Sequence, residues 1–259
     1  MSPPPLTSRE TYRAQRFEKI WSEQLNEVFS DVARYYDRGN QVASFGLMNW
    51  LLGKFMSIVD VHPGERVLDV CAGTNAIGIA LLKREPGLHV HAIDRSASMQ
   101  EVGQQRAKAL GFTVASTIHD VHDLPFPDNH FDVVTLQFAS RHLRIEAVFD
   151  EIHRVLKPGG RFYHSDMLRP ESRLVKRLYF AYLRFSVALT AYLFGSGAAA
   201  HNCREYFIDA LDNFYSAEEM SEVLRHHRFT DVLSKKVLGG MVGYHRAVKP
   251  ADAGGAPAR

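Results

Sequence analysis

The chain has 259 residues, 46% hydrophobic and 23% charged, enough to bury one full α/β core without a second domain. Its 31 basic and 29 acidic residues leave a net charge of +2 and are scattered along the chain, which excludes the basic track that a nucleic-acid partner needs. Two cysteines, Cys71 and Cys203, lack the spacing of a redox or zinc pair, and no histidine falls in HExxH spacing; no metal is expected, and a reducing, cytoplasmic compartment is the simplest reading.

The start, MSPPPLTSRE, has no basic segment leading into an apolar one, so no secretory signal is read. Residues 1–10 and 249–259, rich in Pro, Gly, Ser and Ala, are expected to be disordered tails around one domain over 11–248. Phe17, Ile20, Trp21, Leu25, Val28, Phe29 and Val32 recur at helical spacing and predict a helix over Arg13 to Val32. Leu47 to Ile58 predicts a second, closed by the turn at His62-Pro63-Gly64.

From there strands and helices alternate: strands at Arg66–Val70, His89–Asp94, Thr113–Ile118, Phe131–Phe138 and Arg161–Ser165, with helices at Ile77–Arg84, Ala97–Leu110 and Ile145–Leu156. Such alternation predicts parallel strands with right-handed crossovers. The turn Lys157-Pro158-Gly159-Gly160 should precede the fifth strand. An apolar stretch, Leu178 to Phe194, carries Arg184 and is short for a membrane span of roughly 20 residues; it predicts a buried or lid helix, with an interfacial membrane helix as the alternative. Beyond a helix at Ala217–His226, strands at Thr230–Val237 and Met241–Ala247 are joined so briefly that they must be antiparallel, and His245 and Arg246 are expected on an edge strand. The expected fold is therefore α/β: a doubly wound, Rossmann-like sheet of five parallel strands plus a C-terminal antiparallel hairpin, with N-terminal helices and a lid insertion over about 171–215.

In such a sheet ligands bind at the carboxyl ends of the strands. The first strand ends in Asp69-Val70 and runs into Cys71-Ala72-Gly73-Thr74-Asn75-Ala76, a small-residue loop in which Gly73 is the best candidate for close cofactor approach. Asp94 closes the second strand about 20 residues later, where a carboxylate accepts from ribose hydroxyls, and Asp120 follows the third strand, placed for an adenine amino group. Each acid alone reads equally well as a loop or capping residue; the serial arrangement marks the site. Gly73 and Gly78 fail the GxGxxG pattern, and the C-terminal hairpin is foreign to dinucleotide folds, which sets aside a nicotinamide cofactor.

VLDVCAGTNAIGIALL, VHAIDRSASM, DLPFPDNHFDVVT and EIHRVLKPGGRF together resemble the UbiE-type ubiquinone/menaquinone C-methyltransferases, and the likeness extends over residues 27 to 248 through the lead-in VFSDVARYYDRGNQVASFG and the C-terminal GGMVGYHR. The resemblance implies S-adenosylmethionine as cofactor, held by Asp69, Cys71, Ala72, Gly73, Thr74, Asn75, Asp94, Arg95, Met99, Asp120, Val121 and Gln137. It implies methyl transfer to a ring carbon of a small lipophilic acceptor of the quinol type. Two departures stand out. The family's G-G-T-G-D loop reads Ala72-Gly73-Thr74-Asn75-Ala76 here, where Asn75 can hold the left-handed turn; and Ser140-Arg141-His142 replaces the usual Arg-Asn after the fourth strand.

At that position His142 is the expected proton acceptor and Arg141 the group that stabilises a phenolate. The alternative is an ion pair for Arg141 and a helix cap for His142. Tyr36, His164, Asp166 and Tyr206 are weaker candidates for substrate contact. Two functional alternatives stay open: methylation of a lipid amine or a natural-product phenol, and a non-catalytic binding or assembly subunit. Peripheral membrane contact and oligomeric state are not decided by the sequence.

Overall fold

The computed structural model describes residues 6–194 and 204–251; Cys203 lies outside them. Strands β1 (Arg66–Val70), β2 (His89–Asp94), β3 (Ala115–Ile118), β4 (Phe131–Gln137), β5 (Leu156–Met167), β6 (Thr230–Val237) and β7 (Val242–Val248) form one sheet in the order β3-β2-β1-β4-β5-β7-β6. The first five are parallel, and β7 runs antiparallel to both β5 and β6. β7 therefore lies inside the sheet and β6 forms the edge, so the edge position expected for His245 and Arg246 is corrected. β5 begins earlier than expected, at Leu156: its pairing jumps from Phe131↔Leu156 to Val133↔Arg161, so Lys157–Gly160 bulge from the ladder instead of ending it.

Side chains on the central strands alternate between two apolar layers. Leu68, Val134 and Phe162 face one core with α7 (Ile145–Val155) and α10 (Ala217–His226). Val67, Val133 and Tyr163 face the other, with α4 (Leu47–Met56), α5 (Ala76–Arg84) and α6 (Ala97–Ala109). Ahead of the sheet, α1 (Leu6–Lys19) passes through a π-helical turn at Ile20–Gln24 into α2 (Leu25–Val32), followed by α3 (Tyr36–Ala43). Phe17, Trp21, Leu25 and Val28 pack against Tyr206 and Ala210 of α9 (Arg204–Asp212).

Residues 6–10, expected to belong to the N-terminal tail, are helical, and residues 1–5 lie outside the described residues. The helix starts at Leu6, and Glu10 and Arg13 form a buried ion pair while Arg9 reaches Glu219. The lid insertion contains α8 (Arg173–Phe194), which lays Tyr179 and Phe180 against Ile208 and Leu211 of α9. Among the described residues no helix is long and apolar enough to cross a membrane.

Candidate functional site

β1 delivers the chain into three turns with positive φ: Cys71 (φ 55°), Gly73 (φ 51°) and Asn75 (φ 56°, ψ 31°), after which α5 begins at Ala76. Non-glycine residues rarely adopt this conformation and cluster at functional sites when they do. The loop is tied from behind by Gln100 of α6, whose Nε2 donates to Gly73 O (2.9 Å) and Asn75 Oδ1 (3.0 Å) while its Oε1 accepts from the Ser116 hydroxyl (2.6 Å). From the other side Asp37 of α3 accepts from the Thr74 hydroxyl (2.9 Å) and from Arg106 (2.8 Å).

Asp94 accepts the Gly73 N–H and the Ser96 N–H, both at 2.8 Å. Burial raises its pKa, opposed by those two amides. Asp120 is held well below the usual carboxylate range by its hydrogen bond from His122. Asp69, which accepts from the Thr135 hydroxyl at 2.7 Å, is pushed by burial up to about 7. The Thr135 hydroxyl and the Gly78 N–H favour its ionised form against that burial, and its Oδ2 makes no hydrogen bond of full geometry.

The loop borders two connected hollows of about 140 and 110 Å³ that share Tyr36, Cys71, Gly73, Gln137 and Phe138. The first adds Asp69, Ala72 and Thr74; the second adds Asp94, Arg95, Met99, Asp120, Val121 and His142. The residues present fit S-adenosylmethionine. An orphaned buried acceptor, Asp69 Oδ2, and an orphaned buried donor, Gln137 Nε2, line the first hollow, and a Cβ on Gly73 would come within 3.3 Å of the Met99 methyl. Asn75 is the exception in the expected set: it is fully buried beneath α6 and lines neither hollow, so it shapes the loop from behind.

Two larger, apolar cavities of about 590 and 260 Å³ adjoin the cleft, and Tyr36 lines all four spaces. Arg141 lines both apolar cavities. Its guanidinium donates to the Asp166 carboxylate and to Phe138 O (2.9 Å), and its backbone N–H donates to the other Asp166 oxygen at 3.0 Å. Asp166 continues into a buried row: the Ser140 hydroxyl (2.6 Å) sits 2.8 Å from His164 Nε2, His164 Nδ1 lies 3.2 Å from His245 Nδ1, and His245 Nε2 meets Ala217 O at 3.0 Å.

Of the expected acceptor-side residues, the structure therefore brings Tyr36 and Arg141 to the cavities. His142 lines the second hollow, with Asp94 and Asp120; burial, reinforced by Arg141, drives its pKa well below the ordinary histidine value, and its Nε2 is buried and unpartnered. Tyr206 is buried behind it, its hydroxyl 2.6 Å from His142 Nδ1 and 2.8 Å from Trp21 Nε1. His164 is fully buried in the row and borders none of the four spaces.

Sequence reasoning missed Phe138, Asn40 and Met48, which border the cleft and the cavity of about 590 Å³ at once. Phe138 was read as strand, but its φ of 55° breaks β4 and turns the chain into Ser140–His142. Asn40 carried a readable signal, lying one helical turn beyond Tyr36.

The ubiE/COQ5 methyltransferase family profile matches residues 17–249. A demethylmenaquinone methyltransferase from Clavibacter sepedonicus is 35% identical over 237 residues, covering 90% of this chain and 94% of that protein. One from Geobacillus kaustophilus is 34% identical over 230 residues, covering 88% and 97%. Among solved structures, a SAM-dependent methyltransferase from Thermotoga maritima superposes with a TM-score of 0.60 at 18% identity over 86% of this chain and 98% of its own. Haemonchus contortus phosphoethanolamine N-methyltransferase 2, in complex with S-adenosylhomocysteine, gives 0.58 at 18% identity over 79% and 53%. The last two likenesses are of fold; with the profile and the curated relatives beside the cleft after β1, the chain belongs to the ubiE/COQ5 methyltransferase family and is an S-adenosylmethionine-dependent methyltransferase.

Proposed function

We propose that the acceptor is a prenylated quinol, of the kind for which the demethylmenaquinone methyltransferases are named, and that a ring carbon receives the methyl group. The observation that carries this is the cavity of about 590 Å³, walled by Leu47, Leu51, Leu178, Tyr179 and Met241, in which Arg141 is the one charged residue among the described residues that line it. An apolar chamber with a single guanidinium suits a greasy molecule carrying one developing negative charge.

S-adenosylmethionine, when bound, supplies a methyl group on a sulfonium, already electrophilic. The protein's task is to align a carbon nucleophile and keep water out. Tyr36, Asn40, Met48 and Phe138 border both cleft and chamber, so the acceptor ring is held at that boundary. Carbon attack needs the electron-rich phenolate, its proton lost to solvent before the ring is enclosed and the ring hydrogen leaving to solvent after methylation, and Arg141, locked by Asp166 and Phe138 O, stabilises that oxyanion by charge-assisted hydrogen bonding. The geometry favours Arg141 over His142 for this role, because His142 faces the nucleoside side and burial makes it a weak base. Asp69 and Asp94 are the proposed partners of the cofactor's ammonium and ribose.

The test uses S-adenosylmethionine with a short-chain demethylmenaquinone, reduced or oxidised, and with lipid-amine and simple-phenol competitors. Expected are methylation at a ring carbon of the reduced form only, a fall of about 100-fold or more in kcat for Arg141→Ala, and near-normal turnover for His142→Asn. Methylation at oxygen or nitrogen, or equal turnover of the oxidised quinone, would overturn the proposal.

A further inference from the structure

α8 has two unlike sides. Tyr179, Phe180 and Ser186 are buried, whereas Leu174, Leu178, Ala181, Phe185, Ala188 and Tyr192 recur at intervals of three and four and form one stripe along the helix. That stripe faces solvent: Leu174 is 66% exposed, Leu178 64%, Phe185 58% and Tyr192 84%. A continuous exposed apolar stripe over five turns is unlike the scattered surface leucines of an ordinary soluble domain.

Two further observations identify what covers it. The helix sequence, RLVKRLYFAYLRFSVALTAYLF, contains no acidic residue. Arg173, Arg177 and Arg184 fall on the helical wheel along one border of the stripe, and all three are exposed. An apolar stripe bordered by arginines is the pattern of a helix lying in the plane of an anionic lipid surface, its apolar face among the acyl chains and its cations at the headgroups. The stripe is also continuous with the cavity of about 590 Å³: Leu178 belongs to both, and Leu47 and Leu238, 42% and 37% exposed, line the same cavity. Trp50, one turn along α4 from Leu47, is exposed as well, with the Lys54 ammonium 5.6 Å from its ring. An indole beside a cation is at home at a headgroup boundary.

We propose that α8, with the start of α4, docks this protein on anionic lipid bilayers as a peripheral, non-spanning contact, so that the acceptor cavity opens against the membrane. Docking itself stands independently of the acceptor's identity; its use for loading a quinol from the bilayer rests on the function proposed above. Leu47, Leu178 and Leu238 then give a prenyl tail an apolar path from the acyl chains into the protein without crossing water.

Flotation of the full chain with vesicles tests the docking, using phosphatidylcholine alone or mixed equally with phosphatidylglycerol. Expected is binding to the mixed vesicles at least about tenfold tighter than to phosphatidylcholine, weakened by salt. Leu174→Glu/Phe185→Glu and Arg177→Glu/Arg184→Glu, neither of which touches the cleft, should each reduce it about tenfold or more while circular dichroism and S-adenosylmethionine affinity stay unchanged. With a quinol acceptor, the same variants should keep turnover of a short-chain, soluble quinol and lose turnover of a vesicle-embedded long-chain one. Equal binding to both vesicle types, no binding, or a concentration-dependent dimer abolished by Phe185→Glu would overturn the proposal, the last assigning the stripe to a second copy of the chain. Vesicle binding without quinol methylation would refute only the acceptor proposed above.

Discussion

Asn75 holds the left-handed turn into α5, as the tolerance of asparagine for positive φ predicts. What the sequence could not reveal is that Asn75 does so from behind the loop, packed so tightly on α6 that a Cβ at Gly103 would lie 2.8 Å from its Cγ. That contact joins residues far apart in the chain and leaves no periodic trace. Asp69 was legible as the acid ending β1, but not its burial, which holds it protonated up to about pH 7. The unfolded chain loses that proton near pH 4. Between about 4 and 7 the folded state thus holds the extra proton, and this group's contribution to the cofactor-free protein's stability declines as pH rises through that window. Binding a cationic ammonium favours the ionised carboxylate, so affinity for S-adenosylmethionine should rise from pH 6 to 8 and then level. Calorimetric titration across that range should show the rise in the wild type, and weaker, nearly flat binding in Asp69→Asn.

α1 was the least legible element, because the prolines just ahead of it and the serine near its start suggested a tail while its partners lie far along the chain. Arg13 is fully buried, paired with Glu10, stacked 4.8 Å from the Phe214 ring, and donates to the carbonyls of Arg141 (2.9 Å) and Leu143 (3.3 Å). Tyr215 donates to Glu10 at 2.9 Å. The helix is thus a clamp on the segment that carries Arg141. Arg13→Ala would strand the buried Glu10 carboxylate, at a cost of about 3–5 kcal/mol. Thermal denaturation should register a fall in Tm on the order of 10 °C, with kcat reduced in the folded fraction as Arg141 loosens. In α8 the helical period was plain from sequence, but a repeat of apolar residues does not say which side meets a neighbour; the positions of α3 and α9 do that.

At the scale of the whole molecule, the strand alternation and the short final hairpin were sufficient to predict the sheet, because local periodicity and connection length leave few topologies. The placement of β7 between β5 and β6 was not, since the hairpin can join the sheet by either strand. That placement sets His245 opposite His164 and so builds the buried row from Asp166 to Ala217. Its two ends, a carboxylate and a carbonyl, can only accept. Between them stand a hydroxyl and two imidazoles, each with a single hydrogen when neutral, so three hydrogens serve the row's four contacts. One contact is therefore always lone pair against lone pair, a proton hole that tautomer shifts can move along the row. A single added proton closes it without displacing an atom, partly offsetting the burial that drives both imidazoles down. Nitrogen-15 spectra of the histidines should show His164 and His245 titrating as one unit that takes up one proton, and Ser140→Ala should break the unit by removing a link. The row ends on Asp166, directly behind Arg141, so a place for one hydrogen ion stands one residue away from the two apolar cavities that Arg141 lines.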